Sequence, residues 1–187
     1  MAEEKLHFLA ICGSLRQGSY NRMALRAAIA LAPPEISIES FDIAPLPPFD
    51  EDVRAKGFPA EVARLRQHIA AADAVLFVTP EYNYSLPGVL KNAIDWASRP
   101  PGQPFDGKPM AVMGASPGQS GAGRAQHHLR QVMIYLNGHF LNKPEVMIRE
   151  AASRFDAAGE LTDEATRALI RELLANLAAW TRRLKAG

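Results

Sequence analysis

"LHFLAICGSLRQGSYNRMALRAAIALAPP", Leu6 to Pro34, contains three kinds of sequence in succession. An apolar run from Leu6 to Gly13 shows no alternation, as expected of a strand buried on both faces of a parallel sheet. The turn "GSLRQGSYNR", Gly13 to Arg22, is glycine-punctuated and rich in hydroxyl groups. A helical stretch to about Leu31 follows, with Leu25, Ala28, Ile29 and Ala32 on one stripe. Asn21 can cap that helix and Pro33-Pro34 ends it.

The same strand–turn–helix order then recurs along the chain. Further strands are expected at "ISIESFDI" (Ile36–Ile43), "AVLFVTP" (Ala74–Pro80), "MAVMGAS" (Met110–Ser116) and "PEVMIRE" (Pro144–Glu150). The second alternates Ile36, Ile38 and Phe41 with Ser37, Glu39 and Asp42, which suits a sheet edge. Helices are expected from about Pro59 to Ala72 and after Ser85, a candidate cap, with Leu90, Ala93, Ile94 and Ala97 facing inward. Two more follow Gly121–Gly123, with Ala125, Leu129, Val132, Met133 and Leu136, and run from Thr162 to about Leu184. In the last, Leu169, Leu173, Leu177, Trp180 and Leu184 are in register, and the end charges suit the helix dipole. Alternating β and α segments imply parallel strands joined by right-handed crossovers. The expected architecture is an α/β three-layer sandwich with a flavodoxin-like five-stranded parallel sheet, order 2-1-3-4-5, in one domain over residues 1–187. The irregular piece Ala44–Pro59 reads either as a functional rim or subunit contact, or as a proline-stiffened surface loop.

Lys and Arg number 21 against 20 Asp and Glu, a net charge of +1. A nucleic-acid partner needs a clear basic excess on some face, so none is expected. No apolar run approaches the roughly 20 residues of a membrane span, so no membrane partner is expected either. The opening "MAEEK" lacks the order of a secretory leader, and a cytoplasmic chain is expected. Cys12, the only cysteine, lies in an apolar run and reads as a core residue.

Ligands of an open parallel sheet bind beyond the carboxyl ends of its strands, near the switch in strand order. Strands one, three and four end in "GSLRQGSYN", "TPEYNYSLPG" and "GASPGQSGAG". In the first, Gly13 and Gly18 let backbone amides approach an anion, and the helix that follows offers free N–H groups. Ser14, Ser19 and Asn21 add neutral donors, and Arg16 adds a planar guanidinium fork. Gly13-x4-Gly18 has the glycine spacing of a triphosphate-binding loop, but Ser19-Tyr20 stands where Lys-Ser/Thr is required. A terminal monophosphate fits best, and a Gly/Ser turn closed by an ordinary cap is the plain alternative. The second loop, with Pro80, Glu81, Tyr82, Asn83, Tyr84 and Ser85, can meet the edge and face of a planar heterocycle. It can equally pad an interface. The third brings small residues past a flat ligand, or is a simple glycine-rich turn.

"GSLRQGSYNRMALRAA", "TPEYNYSLPGVLKNAIDWASRP" and "GASPGQSGAGRAQHHLRQV" resemble the NAD(P)H-dependent FMN reductases, which include chromate and quinone reductases and share a flavodoxin-like fold. The resemblance spans roughly residues 5–150. It implies that Ser14, Arg16, Ser19 and Asn21, with Tyr20 beside them, hold the FMN phosphate. Pro80, Glu81, Tyr82 and Asn83 would line the isoalloxazine, and Ser116 would complete the site. FMN is thus the implied cofactor and NADH or NADPH the co-substrate. The resemblance further implies ping-pong transfer of hydride from nicotinamide to the flavin nitrogen N5, and then to a quinone, azo, flavin or metal-oxyanion acceptor. A homodimer or homotetramer is implied as well.

No catalytic triad or metal is required. Adjacent His127 and His128 diverge on a helix, Glu81 is a candidate general base, and Tyr82 and Tyr84 are candidates to shape the acceptor pocket. The rival reading is a flavodoxin-type FMN electron carrier without NAD(P)H activity of its own. Such carriers present an acidic face that a chain of this charge lacks.

Overall fold

The computed structural model describes residues 5–186, so all of "MAEEK" except Lys5 lies outside the described residues. The apolar runs form strands β1 (Leu6–Cys12), β2 (Ile36–Phe41), β3 (Ala74–Val78) and β4 (Pro109–Ala115). Two short strands follow, β5 (His139–Phe140) and β6 (Val146–Ile148). The helices are α1 (Tyr20–Leu31), α2 (Glu51–Arg54), α3 (Ala60–Ala71), α4 (Gly88–Ala97), α5 (Gly123–Tyr135) and α6 (Glu164–Ala186). All strand pairs are parallel and the order is β2-β1-β3-β4-β5, with β6 also on β4. This is the flavodoxin-like α/β sandwich.

Burial on both faces explains the unalternating strands. Along β1, Phe8, Ala10 and Cys12 enter the core under α1 and α6, while Leu9 and Ile11 enter the core under α3, α4 and α5. The alternating β2 is the edge strand, as its pattern requires.

The expected fifth strand, Pro144–Glu150, shrinks to β6, and β5 takes the first part of the same edge of β4. Pro144 has no N–H to give a ladder, so the edge is made of two short pieces. β5 pairs with Pro109 and Met110, and β6 with Met113 to Ala115.

Four helix readings are corrected. The α1 cap is Ser19, whose Oγ accepts from the Asn21 N–H at 3.2 Å, so Asn21 is already helical. The α1 stripe is rotated: Ala24, Leu25, Ala27 and Ala28 are buried, whereas Ile29 is exposed. The α4 cap position is Pro87 rather than Ser85, because Tyr82 and Ser85 exchange both backbone hydrogen bonds in a turn. In α6, Ile170, Leu173, Leu174, Leu177, Ala178 and Thr181 are buried while Leu169 is exposed. Asp163, just before it, accepts from the Thr166 N–H at 2.9 Å. The Ala44–Pro59 piece is fastened to α4: Asn92 Oδ1 accepts from Phe49 N–H at 2.7 Å, and Trp96 Nε1 donates to the Pro47 carbonyl at 2.8 Å.

Candidate functional site

The carboxyl ends of β1, β3 and β4 converge at the switch in strand order. At the end of β1, Gly13 N–H donates to the Val78 carbonyl at 2.9 Å and holds the loop against β3. A Cβ on Gly13 would lie 2.6 Å from Thr79 Oγ1, so the neighbouring strand demands this glycine. Gly18 meets no such obstacle, its nearest neighbour being the Arg16 guanidinium at 3.8 Å. Ser14 and Ser19 are buried and Arg16 is exposed. Arg22 Nε donates to the Ser14 carbonyl at 3.1 Å, bracing the loop from behind. Ser19 satisfies one N–H of the first turn of α1, and the positive end of the helix dipole favours an anion beside the rest. Tyr20 stacks on Phe155 with ring centroids 5.9 Å apart.

The loop after β3 is held by Glu81. Its carboxylate accepts from the backbone N–H of Arg124 at 3.0 Å and pairs with the Arg124 guanidinium. It thereby closes the amino end of α5 across the site. That hydrogen bond keeps Arg124 more firmly protonated than usual. The Arg124 guanidinium in turn covers the Tyr84 ring, 3.8 Å from its centroid. Asn83 (φ 50°) and Tyr84 (φ 68°) occupy the left-handed region at the centre of the Tyr82–Ser85 turn, the backbone of a type I′ hairpin. Ser85 Oγ lies 2.7 Å from His128 Nδ1. After β4, Ser116 Oγ donates to the Gly118 carbonyl and accepts from Gly121 N–H, both at 3.1 Å, shaping the third loop from inside.

A cleft of about 300 Å³ between these loops is lined by Ser14, Arg16, Ser19, Tyr20, Asn21, Pro80, Glu81, Tyr82, Ala115, Ser116 and Pro117. Of the residues expected to hold the cofactor, Asn83 is not brought in, and neither is Tyr84, the candidate for the acceptor pocket; both are exposed on the turn beyond. Ala115 and Pro117 had no polar signal to single them out. The Asn21 amide is occupied: Nδ2 donates to the Ala115 carbonyl and Oδ1 accepts from the Ala115 N–H, each at 2.9 Å. Glu81 is likewise tied up in ion pairing, which disfavours it as a base.

Hydroxyls, a guanidinium and a helix amino end at one side suit a phosphate. Proline, tyrosine and a small-residue wall at the other suit a flat ring, so the residues fit FMN. A second hollow of about 250 Å³ beside β2 contains Cys12, Arg22 and Asp42. Burial pushes the Cys12 thiol up, as expected of an unreactive core thiol. Among the described residues no group of three or more His, Cys, Asp or Glu can hold a metal, and no helix is long and apolar enough to cross a membrane.

The profile of the family described as NADPH-dependent FMN reductase matches residues 6–153. The chain belongs to that family. It is therefore an oxidoreductase with FMN as cofactor and NAD(P)H as reductant. It is 58% identical over 182 residues to an NAD(P)H-dependent FMN reductase of Pseudomonas aeruginosa, covering 97% of this chain and 98% of the relative. It is 44% identical over 190 residues to an NAD(P)H:quinone oxidoreductase of Solanum tuberosum, covering 98% and 97%. The structure of the flavoenzyme NAD(P)H:(acceptor) oxidoreductase FerB from Paracoccus denitrificans superposes with a TM-score of 0.87 at 37% identity, covering 95% and 98% of the two chains. Against these relatives the rival reading, a carrier without NAD(P)H activity of its own, gives way.

Proposed function

We propose that this FMN reductase oxidises NAD(P)H and passes the electrons to a quinone through FMN held in the three-loop cleft. The observation that carries the reading is the cleft itself, with phosphate-binding groups at one end and ring-binding groups at the other. The quinone class is supported by the quinone oxidoreductases among the relatives. Azo compounds, free flavin and metal oxyanions are further acceptors, since an open flavin face selects weakly among oxidants.

When bound, FMN supplies a ring that accepts and donates hydride. The protein does the rest. Ser14, Arg16, Ser19 and the first turn of α1 hold the phosphate. Pro80, Tyr82 and Ser116 bound the ring, and Glu81 keeps their loop fixed on α5. Tyr82, half exposed at 51%, borders the open side where nicotinamide and quinone take turns. One shared site implies ping-pong kinetics. The pairing of copies is supported by Ile134 and Tyr135 at the end of α5, 77% and 90% exposed and next to a groove against α4. The working unit is then a homodimer or homotetramer of single-domain chains, in the cytoplasm where NAD(P)H is supplied.

The test begins with the spectrum of the purified protein, which should show flavin bands. Initial rates with NADPH and a benzoquinone should give parallel double-reciprocal lines. Intersecting lines would reject the shared site, and a chain that takes up no FMN would reject the whole reading.

A further inference from the structure

Asn21 stands at the switch in strand order with its amide committed to a single residue. Val78↔Met113 is the last register pair between β3 and β4. Past it, Thr79 N–H still donates to the Met113 carbonyl at 3.0 Å. The Ala115 N–H and carbonyl lie beyond that pair, and Asn21 takes both, at 2.9 Å each. The side chain stands in for the missing strand residue. It is 2% exposed. Along the chain Asn21 is two residues past the cap Ser19, and Ala115 is immediately before Ser116. One buried amide therefore joins the phosphate end of the cleft to its ring end.

We infer that Asn21 is a positioning residue for FMN, which sets the separation of the Ser14–Ser19 cradle from the Ser116 wall and does not itself hold the phosphate. The inference rests on the FMN reading above. A ligand gripped at both ends gains affinity only while the two grips are correctly spaced, as in any bivalent contact. An amide is needed because it presents a donor and an acceptor side by side. A carboxylate would set an oxygen lone pair against the Ala115 carbonyl.

The experiment measures three ligands on the wild-type chain and on Asn21→Ala: FMN and riboflavin by flavin fluorescence, inorganic phosphate by phosphorus NMR. The FMN Kd should rise about 10-fold or more. The constants for riboflavin and phosphate, each using one grip, should change by less than about 3-fold. If FMN and phosphate weaken alike while riboflavin does not, Asn21 is a phosphate ligand and the inference fails. If all three weaken together with a drop in thermal midpoint, the role is merely structural and it fails again; it fails too if nothing changes.

Asn21→Asp gives an independent readout. A protonated Asp offers an O–H and a carbonyl in place of the two amide groups. FMN affinity relative to wild type at the same pH should therefore recover as pH falls, and a flat ratio would overturn the inference. A wild-type chain that binds no FMN removes the underlying reading too, an outcome distinct from a variant that binds it normally.

Discussion

Replacing Gly114 by Ala puts a methyl group where two elements of the site already touch. A Cβ there would lie 2.5 Å from the Thr79 carbonyl oxygen and 2.7 Å from the Ala122 Cβ. Ordinary contact begins at 3.4 Å, so β3 and the start of α5 must part by about 0.9 and 0.7 Å. Neither obstacle is the free end of a flexible side chain. Overfilling a packed core costs about 1–3 kcal/mol, and obstruction by backbone puts this case near the top of that range. At about 2–4 °C per kcal/mol for a chain of this size, the thermal midpoint should fall by about 6–12 °C. Thr79 leads into Pro80 and Glu81, so the wall proposed for the flavin ring moves with it, and a shift near 1 Å should weaken FMN by about 10- to 100-fold. Gly118, in the adjoining loop, has no heavy atom within 4 Å of its Cβ position. Gly118→Ala should therefore stay within about 0.5 kcal/mol of wild type. Thermal unfolding of the apoprotein and FMN fluorescence titration, run on both variants, check the reasoning. Identical behaviour of the two alanine variants would refute it.

Arg16→Ala removes the one exposed guanidinium on the proposed phosphate cradle and should raise the FMN Kd by about 10-fold, the scale of a charge-assisted hydrogen bond; an unchanged titration removes Arg16 from the site. Glu81→Gln should lower the thermal midpoint while leaving the pH profile of quinone turnover in place, because the carboxylate closes α5 and pairs with Arg124. A fall of about 100-fold in kcat without loss of stability would instead make Glu81 a general base. Asp163 is held below the usual carboxylate range by hydrogen bonds from the Thr166 hydroxyl and backbone, and then by Arg154. A depressed folded pKa gives stability that is present above the unfolded value of about 3.9 and is lost as pH falls through the folded value. Asp163→Asn should thus lower the midpoint at neutral pH, and the deficit should close in acid; a deficit independent of pH counts against this account.

Much of the site was legible because its signals are local. The turn from Gly13 to Asn21 carries its hydroxyls, its guanidinium and its helix start within one short stretch. The motif at Pro80–Ser85 is equally continuous. The alternation of apolar runs with helical stripes gave the parallel sheet and its order. At Ile29 and Leu169, which face solvent, the apolar residue is plain in sequence but its direction depends on which neighbour the helix packs against.

What the sequence determined alone was chain order: which segments are strands, which ends carry glycine and hydroxyl groups, and hence which loops share the carboxyl edge. Only the tertiary structure decided how those loops are fastened. The Asn21 amide meets Ala115 94 residues away, and the Glu81 carboxylate meets Arg124 43 residues away. In sequence each reads as a group facing a ligand, because both kinds of side chain bind ligands readily. A residue's chemistry is written in its identity, but whether that chemistry is already satisfied depends on partners that only folding brings within hydrogen-bond reach.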